Sequence, residues 1–144
     1  MKILAVDPGK ARHGIAISDP TGTLARRLTV IEHMSRAIDA ATIASLADEN
    51  HVDLILFGLS SDLDGNLTPE GKSAKRLAAA VRSQTDIPIE FWDESFSTQS
   101  ALNAQIELGT SRRKRRGHLD DLAAAVILQS YLDAHIVNSS ENES

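Results

Sequence analysis

Between a helix-period stretch and a glycine, the run Val52-Asp53-Leu54-Ile55-Leu56-Phe57 is apolar at every position but one. A strand with one face in water alternates apolar and polar residues, so a nearly continuous apolar run belongs to a strand covered on both faces. Such a strand sits in a sheet flanked by helices, which points to an α/β domain. The flanks agree. Ser35 reads as an N-cap, and Ala37, Ile38, Ala41, Ile43, Ala44, Leu46 and Ala47 mark an amphipathic helix after it. Gly58 to Gly65 reads as a loop. A second helix is expected from Pro69 to Ser83, proline being well suited to a first turn. Ile87 to Trp92 reads as another strand, with helices to follow over Thr98 to Leu108 and Leu119 to His135.

The first forty residues read differently. Lys2 to Asp7 is an apolar run ending at an acid, closed by Pro8-Gly9. Gly14 to Ser18 is a second run, closed by Asp19-Pro20-Thr21-Gly22, and Leu24 to Glu32 is a third. Short turns between three strands predict an antiparallel meander, because parallel neighbours need a longer crossover. The order β-β-β-α-β-α-β-α-α thus describes one domain over residues 1–137, with a mixed five-stranded sheet flanked by helices. Residues 138–144 are polar and expected to form a flexible tail.

A chain of 144 residues suits one such domain, and it contains no cysteine. Disulfides, thiol nucleophiles and Cys-based zinc sites are therefore excluded. An acid at position 7 interrupts the N-terminal apolar run well short of a signal-peptide core, and no stretch is long enough to cross a bilayer. The protein is expected to be soluble and cytoplasmic, with no membrane partner. A formal net charge of −5 argues mildly against nucleic acid, but charge distribution matters more than the sum. Arg112, Arg113, Lys114, Arg115 and Arg116 are consecutive, and such a strip can hold a phosphate backbone locally.

Asp7 and the pair Asp93-Glu94 each close a predicted strand, and Asp120-Asp121 opens the final helix. Loops beyond the carboxyl ends of strands form the ligand crevice of open α/β sheets. Three carboxylates meeting there repel one another unless a divalent cation is bound, and an oxygen-only donor set selects Mg²⁺ or Mn²⁺. Ions of that kind serve phosphodiester hydrolysis. The plainer reading is that an acid at a strand end forms a turn, and one at a helix start forms a cap. Gly9 and Gly14 around Lys10 and Arg12 suggest a phosphate-cradling turn, without the Lys-Ser/Thr of a nucleotide P-loop. His118 lies near the acids without a defined role, and Trp92 reads as core. These patterns leave the substrate open.

Four segments together resemble the YqgF/RuvX proteins. Ile3 to Asp19 carries Asp-x-Gly-x-x-Arg-x-Gly-x-Ala-x-Ser-Asp at every fixed position. Phe57-Gly58-Leu59 with Asp64-Gly65 resembles the family's Gly-Leu-Pro…Asp-Gly segment, and Phe91 to Thr98 its Trp-Asp-Glu-Arg-Leu-Thr-Thr segment. The basic run leading into Asp120-Asp121-Leu122-Ala123-Ala124 resembles its closing helix. The resemblance spans Ile3 to Leu132. It implies an RNase H-like fold and a divalent-metal nuclease, described first as a Holliday junction resolvase and later as a pre-16S rRNA nuclease. By position it assigns Asp7, Glu94 and Asp120 as catalytic acids and metal ligands, and Asp121 falls on a small residue of the family. Lys10, Arg12 and Arg112 to Arg116 become the expected nucleic-acid contacts. The chain departs from the pattern at Ser60, where the family has proline. It departs again at Ser95, Phe96 and Ser97, where the family has Arg, Leu and Thr. Loss of that arginine removes a planar charge serine cannot mimic.

The expectation is therefore a metal-dependent endonuclease maturing the 5′ end of precursor 16S rRNA, as a monomer or homodimer. Cleavage of branched DNA is the nearest rival, and a non-catalytic nucleic-acid-binding assembly factor is the second. Sugar-kinase-like ATP binding is disfavoured, since the chain is too short for two domains closing on a nucleotide.

Overall fold

The computed structural model of the chain describes the backbone of residues 1–97 and 119–143, and the side chains of 1–95 and 122–135. Its elements are β1 (Ile3–Asp7), β2 (Arg12–Ser18), β3 (Ala25–Glu32), α1 (Arg36–Glu49), β4 (Leu54–Leu59), α2 (Pro69–Arg82), β5 (Ile89–Asp93), a 3₁₀ turn (Glu94–Ser97) and a last helix, α3 (Leu119–Glu143). The strands form one five-stranded sheet in the order β3-β2-β1-β4-β5. As expected, β1, β2 and β3 are an antiparallel meander, while β4 lies parallel to both β1 and β5. The two parallel steps are bridged by α1 and α2. This is the mixed α/β sheet that the apolar β4 run predicts, and its strand is buried from Leu54 to Gly58.

Each face of the sheet has its own core. Leu4, Val6, Ile15, Ile17, Ile55 and Phe57 turn toward α1 and α2 and meet Ile43, Ala47, Leu77 and Val81. The alternate residues Ile3, Ala5, Ala16, Leu54 and Leu56 turn the other way, against Ala124, Ile127, Leu128 and Tyr131 of α3. Polar clamps hold α3 across the sheet. Gln129 accepts from the Ala25 amide at 2.9 Å and donates to the Thr23 carbonyl at 3.0 Å. At the other edge the Trp92 indole donates to Ser130 Oγ at 3.1 Å, and the Tyr131 hydroxyl donates to Glu90.

Local chemistry explains the ends of the elements. Ser35 caps α1 by accepting from the Ile38 amide, and Thr68 caps α2 by accepting from the Gly71 amide just ahead of Pro69. Asp19 builds the β2–β3 turn, its carboxylate accepting from the Thr23 and Leu24 amides, with Gly22 at φ +74°. Some boundaries differ from expectation. β4 begins at Leu54 rather than Val52, because Asp53 is tied to Lys2 through both its amide and its carboxylate. It extends through Gly58 and Leu59, assigned above to a loop, because these pair with Trp92 and Asp93. β5 begins after Pro88, which has no amide to give a ladder, and runs to Asp93. α3 continues past His135 to Glu143. The helix expected at 98–108 and the basic run at 112–116 lie outside the described residues. No helix among the described residues is long and apolar enough to cross a membrane.

Candidate active site

The strand period decides where Asp7 points. Ile3 and Ala5 face α3, so Asp7, two residues on, takes the same face at the carboxyl end of β1. It pairs with Gly14 of β2, and one step beyond the Val6–Phe57 pair it comes level with Gly58 of β4. A Cβ built on Gly58 would lie 2.9 Å from Ile127 Cδ1 of α3, 3.5 Å from Glu94 Oε1 and 3.6 Å from Glu94 Cγ. The Glu94 side chain therefore lies over Gly58 on the α3 face, reaching back from the 3₁₀ turn that follows β5. Two acids far apart in sequence thus flank one glycine, with Asp7 on β1 and Glu94 beyond β5.

Of the pair Asp93-Glu94, Asp93 serves the turn. Its carboxylate accepts from the Ser95 amide at 2.9 Å, and this bond, ahead of the opposing effect of burial, holds it below the ordinary carboxylate range. Ser95 donates its amide to this cap and stands exposed. Gly9 answers to sterics, since a Cβ there would lie 2.3 Å from the Arg12 carbonyl oxygen, and only glycine permits so close a turn. Arg12 opens β2 opposite Glu32 and is exposed. Lys10 reaches Glu70 at 3.7 Å across exposed surface, a pair of small energetic weight. Asp120 and Asp121 fall on the α3 backbone, and their side chains lie outside the described residues, as do Arg112, Arg113, Lys114, Arg115, Arg116 and His118. Asp7 and Glu94 are thus the expected acids that the described structure brings together.

One polar cluster has no counterpart among the sequence expectations. His13, on β2, and Asp39, on α1, are 4% and 2% exposed. Asp39 Oδ2 lies 2.8 Å from His13 Nε2 and 2.5 Å from His33 Nδ1, and Oδ1 accepts from the Met34 amide at 3.0 Å. Burial pushes the Asp39 carboxyl up, but these bonds outweigh it and hold the group below its ordinary range. The cluster lines a cavity of about 590 Å³ with Pro8, Gly9 and Glu70, on the α1/α2 face of the sheet. The missed signal was periodicity. His13 shares the alternation of Ile15 and Ile17, so it was bound to be a buried polar group in need of partners.

A family model described as RuvX, Holliday junction resolvase, matches residues 1–134. The chain belongs to the RuvX family. Among its relatives, a protein of Clostridium botulinum strain Alaska E43, named as a candidate pre-16S rRNA nuclease, is 38% identical over 133 residues, covering 92% of this chain and 97% of that one. Among solved structures, RuvC of Thermus thermophilus in complex with a Holliday junction superposes with a TM-score of 0.65 at 17% identity, over 94% of this chain and 96% of that one. The fowlpox virus Holliday junction resolvase gives a TM-score of 0.54 at 15% identity, over 93% and 99%. These likenesses establish the RNase H-like fold. Family membership makes the chain a nuclease by class.

Proposed function

We propose that this chain is a metal-dependent endonuclease that hydrolyses phosphodiester bonds in the cytoplasm, at the 5′ end of precursor 16S rRNA. The observation that carries this reading is that Glu94 lies over Gly58, next to the carboxyl end of β1 where Asp7 stands. The donors are hard carboxylate oxygens, suited to Mg²⁺ or Mn²⁺ rather than to softer ions. Asp120 is the third acid in this reading. It precedes Ile127, whose methyl meets Gly58, by two helical turns, and the period places position 120 on the stripe of Ala124, Ile127 and Leu128. Asp121 falls a third of a turn away. When bound, the cation supplies Lewis acidity toward the attacking water and the phosphate oxygens. The chain's own part is positional. β1 and the β5–3₁₀ junction carry the two carboxylates, and glycines at 14 and 58 flank Asp7 with no side chain of their own. Lys10, Arg12 and Arg112 to Arg116 hold the backbone without reading sequence. The candidate rRNA nuclease among its relatives supports an RNA substrate.

The test is cleavage of a 5′-extended 16S rRNA fragment with Mn²⁺ or Mg²⁺ by the wild type and by Asp7→Asn. We expect cleavage to be lost in Asp7→Asn and with chelator while RNA binding persists. A wild type that binds this RNA and never cuts it with either ion would hand the role to a binding factor. The family description favours a second substrate, the Holliday junction. Cutting of a four-way junction in preference to the rRNA fragment would select it.

A further inference from the structure

The buried cluster on the α1/α2 face touches the loop that carries Asp7. The Gly9 amide donates to His13 Nδ1 at 3.1 Å, so that nitrogen presents its lone pair. The ring proton therefore sits on Nε2 and donates to Asp39 Oδ2 at 2.8 Å. Asp39 is in turn held by His33 and by the Met34 amide. The donor atoms of His13, His33 and Asp39 lie within 4.8 Å of one another, a spacing that a metal ion also accepts. Proton accounting decides against it. A histidine bound to metal through Nε2 carries its proton on Nδ1, and here the Gly9 amide already points its own hydrogen at that atom. The cluster is a hydrogen-bonded chain, Asp39 to His13 to the Gly9 amide.

Its far end lies two residues past Asp7, across Pro8, which has no amide to anchor the turn. The same turn is braced by the His33 amide on the Ala11 carbonyl and by the close approach of Gly9 to Arg12. We infer that His13, oriented by Asp39, is a positioning residue for Asp7: by accepting the Gly9 amide it fixes the turn from which the Asp7 carboxylate is presented. This rests on the reading of Asp7 as a metal ligand.

The test measures Mn²⁺ binding by calorimetry, without nucleic acid, in the wild type, His13→Leu, His13→Gln and Asp7→Asn. Leucine fills the buried space but neither accepts nor donates, whereas the glutamine amide offers one acceptor and one donor, like neutral imidazole. His13→Leu is expected to weaken Mn²⁺ binding about tenfold, as loss of a partner outside the coordination sphere does, and to lower the thermal midpoint, because the buried Asp39 carboxylate loses a donor. His13→Gln should recover most of that loss. Wild-type affinity in His13→Leu, with weakened binding in Asp7→Asn, would overturn the inference and leave the metal site standing. Wild-type affinity in Asp7→Asn would overturn both. Should His13→Leu not fold, long-range proton–nitrogen NMR of the wild type decides. A proton on Nε2 and a slowly exchanging Gly9 amide are expected, and a proton on Nδ1 would overturn the inference.

Discussion

At residue scale the site depends on a missing side chain. Gly58 lets Ile127 and Glu94 close over β4, and a methyl there meets first the movable tip of Ile127 and then Glu94 at ordinary contact distance. Gly58→Ala should therefore fold and keep most of its activity, while Gly58→Val should push the Glu94 carboxylate aside. A displacement on the order of 1 Å costs about 100-fold in rate, which single-turnover cleavage would register. Asp39 gives a second prediction. Its folded carboxyl titrates below its unfolded value, so between the two the unfolded chain binds more protons and stability rises with pH. The contribution is complete above about pH 4 and is lost as pH falls through the folded value. Urea midpoints should drop over that acid range, and Asp39→Asn should flatten the drop.

At the scale of elements, α3 matters most, because it covers one whole face and carries the third proposed acid. Its seat combines apolar packing with polar clamps at both sheet edges. The Tyr131 ring stacks on His135 at 3.9 Å between centroids and meets Trp92 edge-on at 5.3 Å. Burial, together with the bond to Glu90, raises the Tyr131 hydroxyl far above its ordinary value, so it donates at every working pH. Tyr131→Phe keeps the rings and deletes that one bond. It should cost about 1 kcal/mol of unfolding free energy in denaturant titration, and less in a Glu90→Gln background. Helices α1 and α2 were readable from Ser35 and Pro69 at their starts, but the face of α1 was read only in part: Ala37, Ile38 and Ala41 stand exposed, whereas Asp39 and Ala40 are buried beside Ile43, Ala44 and Ala47. The ends of β4 and β5 were not, since pairing with Trp92 and Asp93 extends β4 beyond what its composition suggests.

For the molecule as a whole, a net charge of −5 must coexist with binding to a polyanion. The proposed solution is local concentration of charge. Affinity for single-stranded RNA should then fall steeply with salt, with a logarithmic slope of about 0.7 per phosphate contact. Replacing Arg112, Arg113, Arg115 and Arg116 with glutamine should shallow that slope while leaving metal binding at Asp7 intact. A flat salt response in the wild type would assign RNA binding elsewhere.

What the sequence alone determined was what local chemistry and period can carry: an α/β domain, the antiparallel meander, the cap at Ser35, the first turn at Pro69, and acids placed at strand ends. Its four motif segments also carried the family, because residue order survives without knowledge of folding. The resemblance picked Glu94 from the pair Asp93-Glu94, and only the tertiary structure supplied the reason: the Asp93 carboxylate is taken by the Ser95 amide, whereas Glu94 lies over Gly58 on the α3 face. Only folding, likewise, brought His13, Asp39 and Gly9 into one chain of hydrogen bonds. Those residues come from β2, α1 and the β1–β2 turn, and no sequence spacing records that a buried strand position and a helix start are neighbours in space.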